Sequence, residues 1–357
     1  MADHSIESTN HEAPSHHSAL RRFWPHWLPR PTIVFGALIL VALVFLLIRA
    51  RHDLATVVDH LTLRKIPWLG VAVAAEAVSF FCYSEVQRRL LRTGGARLRL
   101  HAMFGLAVAA TGLTNLVPGG TAPASGWLVG QYRKRGIPMP LAMWAVLAGG
   151  FAATMSVLLL LVVGAAIAGL IGLWVALGCA LLLALATAGA VTAAAHLEEV
   201  EHWVDRHGRL PGQVALKKVV AKVADVAQFR SGVSAGTKVL ALSLGNWSLD
   251  VVCLITSFAL LNEPVPWKGV LFAYAAAQVA GSLAPVPGGI GFVEGGMLGA
   301  FALTGTPPGT AFVPIIVYRL ITCWGVAGIG SIAIYAMTRR DPKLADLKGK
   351  AAELSRR

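Results

Sequence analysis

Charge is scarce in this chain. Only 14% of its 357 residues are Asp, Glu, Lys or Arg, while 56% are hydrophobic. Several uncharged apolar runs reach the roughly 20 residues needed to cross a bilayer. That excludes an ordinary soluble globule and reads as a polytopic helical membrane protein. The runs do not alternate in polarity, so a transmembrane β-barrel is excluded as well. Cysteine is also rare. Cys82, Cys179, Cys253 and Cys323 all lie within apolar segments, with no C-x-x-C pair. They read as small packing residues and leave no disulfide or zinc framework. Enzyme motifs are missing too. There is no G-x-x-x-x-G-K-[ST], hence no P-loop ATPase, and neither H-E-x-x-H nor G-x-S-x-G. His101 and His196 sit at segment edges, far from the acids or arginines that a phosphatase or acyltransferase site needs. His4, His11, His16, His17 and His26 are irregularly spaced in a polar tail. No metal or other cofactor is expected, and the chain reads as a non-enzyme.

What is plentiful is positive charge, with a formal net of +13. In a soluble protein this would point to nucleic acid. Here the basic residues gather at the ends of apolar segments, so they set topology and touch anionic lipid. No nucleic-acid partner is expected.

Glycine and proline gather in one apolar place, residues 281–305, reading GSLAPVPGGIGFVEGGMLGAFALTG. Pro285 and Pro287 lack a backbone N–H and clash with the preceding turn. Gly288, Gly289, Gly291, Gly295 and Gly296 loosen the backbone further. A broken helix is tolerated in hydrocarbon only where protein or a watery cavity covers it. Glu294 lies inside the break, and an intramembrane carboxylate marks a candidate functional site. Residues 115–126, NLVPGGTAPASG, form a second copy. Both contain P-G-G-x5-G, with Pro118, Gly119, Gly120 and Gly126 matching Pro287, Gly288, Gly289 and Gly295. Each follows an Ala-rich run, AVAATGLTN or AYAAAQVAGS, a signature of internal duplication.

Taken in order, residues 1–31 are a polar cytoplasmic tail, 32–338 a membrane domain and 339–357 a cytoplasmic tail. The first span is expected at 32–48, followed by an outer amphipathic piece with Leu54, Val57, Val58 and Leu61 on one face. Later spans are expected at about 67–86, 141–163, 171–194, 239–261 and 311–337. The segment 101–130 has basic flanks on both sides, so it reads as a re-entrant hairpin entering from the cytoplasm. The segment 269–304 ends in an uncharged turn and reads as a hairpin entering from outside. Between spans, 196–238 is a polar cytoplasmic connection, and within it 216–230 forms a basic amphipathic surface helix.

Most Lys and Arg fall on the side assigned to the cytoplasm; Arg49, Arg51, Arg64 and Lys65 run against the bias. Both termini are therefore placed inside. The fold expected is all-α, with about six full spans plus two broken re-entrant hairpins in an inverted repeat of halves 32–163 and 171–338.

Four charged side chains are deeply embedded: Glu76, Asp250, Glu294 and Arg319. Each costs roughly 3 kcal/mol at a helix centre when it faces lipid, so they must face inward and pair. Arg319 is expected to pair with Glu294 or Asp250, and its fork also suits a phosphate. Glu294, Asp250 and Glu76 are candidate proton carriers. Half-helix N-termini and the N–H groups of the P-G-G turns are candidate holders of an anionic headgroup. Asn115, Ser125, Asn246, Trp247, Gln278, Ser282 and Tyr318 are candidate polar contacts.

APVPGGIGFVEGGMLGAFALTG, together with YRLITCW in the last span, resembles the lysylphosphatidylglycerol synthase transmembrane-region family. This is the flippase-like domain of aminoacyl-phosphatidylglycerol synthase/flippases, found also as stand-alone proteins. TNLVPGGTAPASGWLVGQYRKRGI is similar to the family's first motif, and the resemblance runs from the first span to the last. It implies movement of a lipid between leaflets, in a bacterial inner membrane. Carried over, Pro287, Gly288, Gly289, Glu294 and Arg319 match the second motif and last span, and Pro118 and Gly119 the first. Where many relatives carry a Gly-acid pair, this chain has Thr121, Ala122 and Pro123. No aminoacyl-transferase domain accompanies the membrane region, so synthesis of lysyl lipid by this chain alone is not expected.

The function expected is a flippase for an anionic or phosphate-bearing lipid, either a phospholipid or a polyprenyl-linked lipid, working by alternating access. Two alternatives stand beside it. One is a membrane enzyme acting on lipid-linked phosphate or sugar. The other is a scaffold whose partner is a lipid-synthesising enzyme.

Overall fold

The computed structural model describes residues 66–195 and 233–339, and these are helical with no strand. Helix α1 is Ile66–Arg92, α2 Leu100–Leu116, α3 Thr121–Lys134, α4 Met139–Ile167 and α5 Leu173–Ala195. Then come α6 Val233–Leu260, α7 Val270–Leu283, α8 Phe292–Leu303, α9 Pro308–Arg319 and α10 Val326–Arg339. A 3-10 turn, Pro287–Gly289, lies between α7 and α8. A π-helical stretch, Leu320–Gly325, joins α9 to α10. The span expected at 32–48, the outer amphipathic piece, the basic helix at 216–230 and both tails lie outside the described residues.

Among the described residues, four helices are long and apolar enough to cross a membrane: Pro67–Arg92, Met139–Ile167, Ser234–Leu260 and Pro308–Arg339. Leu147, Leu173, Trp174, Leu182 and Ile332 are more than half exposed. An apolar belt of that kind is a liability in water and the natural surface in lipid. The chain is a multi-pass membrane protein. Four of the later expected spans each fall on one helix, with some ends displaced, and the last runs through α9, the π-helical stretch and α10. Helix α1 runs on past the apolar segment because Glu85 pairs with Arg88 at 2.5 Å and Arg89 at 2.9 Å, one turn away. Helix α6 starts ahead of its apolar run, at Val233.

Both Pro-Gly-Gly stretches interrupt their helices, as the sequence predicts. The four arms, α2, α3, α7 and α8, hold 17, 14, 14 and 12 residues. At 1.5 Å per residue even the longest reaches only about 25 Å, short of a hydrocarbon core of ~30 Å. Gly281 lies against Val293, Ala277 against Gly296, and Gly269 against Thr304. Positions that rise along α7 meet positions that fall along α8, so the pair is an antiparallel hairpin with its two open ends side by side. In the first broken segment, Met103, Leu106 and Ala110 of α2 share a core with Leu128 and Tyr132 of α3.

The breaks recur at one constant offset along the chain. Gly119 and Gly288 adopt left-handed φ values of 58° and 57°. That conformation is costly for residues with a Cβ, which explains the glycine at both sites. At the same offset, Gly136 and Gly305 end α3 and α8 with φ of 79° and 85°. Pro138 and Pro307 then precede α4 and α9.

Buried apolar residues form two main clusters. Leu91, Met103, Leu106, Tyr132 and Leu141 centre the first. Phe258, Tyr274, Met297, Phe301 and Ile315 centre the second. Between them α1 and α6 run antiparallel, with Cys82 beside Gly245 and Ser79 donating to Asn246 Oδ1 at 3.0 Å. Each broken segment also packs on a helix from the other part of the chain. Helix α2 touches α10, where a Cβ on Gly112 would meet Gly330 Cα at 2.9 Å. Helix α7 touches α4, where a Cβ on Gly164 would meet Phe272 N at 2.5 Å. Backbone approach of this kind is how apolar helices gain dispersion contacts in lipid.

Those two contacts make a stability prediction. Gly112→Leu and Gly164→Leu force backbones apart and should cost about 1–3 kcal/mol each. Gly178→Leu, with nothing within 4 Å of its Cβ position, should melt like the unaltered protein. Thermal unfolding in detergent checks all three.

Candidate functional site

Arg319 closes α9 and is buried. Its Nε donates to Glu294 Oε1 at 2.7 Å, and its Nη2 donates to the carbonyl of Gly288. Glu294 stands in the first turn of α8, where backbone N–H groups lack intrahelical acceptors. Its other oxygen, Oε2, accepts the Gly291 N–H at 2.6 Å. A single carboxylate thus caps α8 and neutralises Arg319, and it sits at the positive end of the helix dipole. Pro314 lies inside α9, where it removes one intrahelical hydrogen bond, and the π stretch around Cys323 follows directly after Arg319.

The tip of the second hairpin is wedged tightly. A Cβ on Gly288 would lie 2.8 Å from Cys323 Sγ and 3.3 Å from the Asn115 carbonyl. Asn115 stands in the last turn of α2 and donates from Nδ2 to the Cys323 carbonyl at 3.2 Å. The ends of the two broken segments therefore meet around one residue pair, Arg319 and Glu294.

A second polar group lies beside the first. Asp250 of α6 accepts at Oδ2 from Tyr274 at 2.6 Å and from Tyr318 at 3.1 Å. Gln278 Nε2 donates to the Tyr318 hydroxyl at 3.3 Å. Glu76 of α1 faces Asp250, one turn along from the Ser79–Asn246 contact.

Of the deep charges, then, Arg319 takes Glu294 and not Asp250, while Glu76 and Asp250 face each other. Tyr318 points to Asp250. Asn115 holds the π stretch, Asn246 holds Ser79, and Ser282 donates to the Val279 carbonyl of its own helix at 2.7 Å. The Trp247 indole N–H is buried with no acceptor. The headgroup site expected from turn N–H groups is altered in one respect. Gly288 offers its carbonyl to Arg319, and the free N–H at the start of α8 is taken by Glu294. In the first break, a Cβ on Gly120 would collide with the Thr114 carbonyl, whereas Gly119 faces open space; Pro118 precedes it in the connection between α2 and α3. Sequence reasoning overlooked Tyr274. The clue was a single phenol in the Ala-rich run AYAAAQ, since a buried tyrosine needs a partner for its hydroxyl. Among the described residues, no group of three or more His, Cys, Asp or Glu is placed to hold a metal ion.

Comparison with known proteins gives two findings. The family model described as "Lysylphosphatidylglycerol synthase TM region" matches residues 33–330. A UPF0104 membrane protein of Methanothermobacter thermautotrophicus is 31% identical over 91 residues, which is 26% of this chain and 27% of that relative. The chain thus matches about a quarter of the relative's length.

Removing one partner of the ion pair leaves the other charge embedded. Arg319→Met should lower stability by about 2–3 kcal/mol, somewhat less than for a fully dry pair because Glu294 is partly exposed. The double variant Arg319→Met/Glu294→Leu should recover part of that loss. Melting of both proteins in detergent measures the difference.

Proposed function

Since the chain belongs to the lysylphosphatidylglycerol synthase TM region family, we propose that it moves an anionic, phosphate-bearing lipid between the two leaflets. The observation that carries this reading is the meeting of both helix breaks around Arg319 and Glu294. Broken helices whose tips converge on a charged site are the usual build of secondary transporters. Two further features support an inverted repeat. Left-handed glycines and helix-starting prolines recur at one offset, and α1 and α6, which occupy equivalent places under that offset, run antiparallel. Elements that correspond yet point in opposite directions belong to halves of opposite orientation.

Charge supports one arrangement in the membrane. The last turns of α1, α3 and α10 carry Arg89 and Arg92, Arg133 and Lys134, and Arg339. Gly105, near the start of α2, lies beside Met337, near the end of α10. These basic ends fit the cytoplasmic face, which has the first hairpin entering from inside and the second from outside.

Arg319 is the headgroup contact in this reading. Nε and Nη2 are engaged, which leaves Nη1 for a ligand. A phosphate can then take over the guanidinium from Glu294, an exchange of one anion for another that keeps the Arg charge paired throughout. The freed Glu294 remains at the α8 N-terminus, where its charge is tolerated. Asn115, bonded to the Cys323 carbonyl, and the open face of Gly119 belong to the other broken segment. Rocking of one half against the other exposes Arg319 to each leaflet in turn.

Reconstitution of the purified protein in vesicles tests the assignment, with fluorescent anionic phospholipid read by its exposure to an impermeant quencher. Losing a charge-assisted contact of 1.5–3 kcal/mol should slow translocation about tenfold or more in Arg319→Ala. Glu294→Gln should also slow it, since a neutral amide holds the guanidinium too weakly to keep the site paired between cargoes. Unaltered translocation in both variants removes Arg319 and Glu294 from the site.

A further inference from the structure

We propose that Glu76 and Asp250 together form a proton-binding site, and that the proton held there is the ion coupled to lipid movement. The coupling part rests on the transport reading above; the binding part stands without it.

The geometry begins with α1 and α6. Their antiparallel register pairs Ser79 with Asn246, and one turn further along it brings Glu76 to Asp250. Each carboxyl keeps one fully buried oxygen with no donor: Glu76 Oε2 and Asp250 Oδ1. Asp250 is about nine-tenths buried, at 9% exposure. Buried acceptors without donors are costly, and here two of them belong to carboxyls within reach of each other. Carboxylates only accept, so nothing passes between them unless a proton is present; one proton satisfies both. The remaining oxygen, Asp250 Oδ2, is already fixed by two tyrosine hydroxyls from α7 and α9. That leaves the shared side of the pair as the place for a small cation.

The titratable groups around the pair come from four helices. Helix α1 supplies Glu76, α6 supplies Cys253 and α7 supplies Tyr274. Helix α9 supplies Tyr318 and Arg319. Helix α4, which also packs on α6, has no titratable residue between Met139 and Ile167. Among the described residues the cation facing the pair is Arg319, and it is turned to Glu294 and Gly288.

This arrangement connects the two polar groups. With one shared proton the pair carries a single negative charge and leaves Arg319 on the hairpin tip. When the proton departs to water, two negative charges face each other beside Tyr318, the residue next to Arg319. Their field draws the guanidinium toward α6 and loosens its hold on Glu294 and the Gly288 carbonyl. Proton uptake restores the latch. The switch uses one proton, no oxidant and no nucleotide.

Infrared spectroscopy of the detergent-purified protein tests the site directly. A protonated carboxyl band should be present at neutral pH, survive in Glu294→Gln, and be lost in both Glu76→Gln and Asp250→Asn. Absence of the band from the unaltered protein, or its persistence in both variants, overturns the proposal. So does a band that disappears on adding sodium at fixed pH, which would assign the site to a metal cation. Vesicles with an imposed pH gradient test the coupling. Lipid transfer by the unaltered protein should respond to the gradient, and the response should be lost in Glu76→Gln and Asp250→Asn. Lipid transfer that ignores the gradient in the unaltered protein overturns the coupling. A protein that shows the band yet moves no lipid under any gradient keeps the proton site and removes the transport reading beneath it.

Discussion

A guanidinium inside an apolar bundle cannot be left bare, and much of this structure follows from how Arg319 is satisfied. Its charge is met by Glu294, and one of its nitrogens is met by the Gly288 carbonyl. Both partners come from the second broken segment, so the requirement of one side chain fixes the hairpin tip against the last helix. The tip in turn presses on Asn115, the end of the other broken segment. Were the helices unbroken, neither the carbonyl nor the capping N–H would be available. The interruption in the backbone is thus what makes a buried arginine tolerable, and the arginine is what makes the interruption specific.

Glycine supplies the rest of the framework. Helices in lipid gain nothing from excluding water, so they hold together where backbones come close. The contacts at Gly112 with Gly330, and at Gly164 with Phe272, tie each broken segment to a long helix from the other part of the chain. They leave α1 and α6 as the central antiparallel pair. Across that pair sit the polar side chains Ser79, Asn246, Glu76 and Asp250. Two polar pairs result, Arg319 with Glu294 and Glu76 with Asp250, and the adjacent residues Tyr318 and Arg319 reach one each.

Much of this was legible in the sequence. Proline and glycine mark both breaks because no other residues fit a broken helix so cheaply, and the four embedded charges stand out against apolar runs. The later spans fall on helices for the same reason. What periodicity cannot supply is pairing across the bundle. Glu294 and Asp250 are equivalent choices for Arg319 until the start of α8 is known, because only then does the Glu294 carboxylate gain a second role as a cap. The carbonyl of Gly288 was overlooked because a Pro-Gly-Gly turn is ordinarily read for its N–H groups. Tyr274 was passed over because one phenol among alanines is a weak signal until its hydroxyl is seen on Asp250. Helix ends are displaced at Arg88 and Arg89 and before Lys238, where polar residues prolong helices beyond the apolar run.

Transport as proposed requires two hairpins that reach the same point from opposite faces of the bilayer. Single cysteines at Arg133 and Thr306, near the open ends of the two hairpins, test this most directly in a background without the four native cysteines. An impermeant maleimide is applied to vesicles of each orientation. Arg133→Cys should react only from the cytoplasmic side and Thr306→Cys only from the opposite side. Labelling of both from one side would contradict the account.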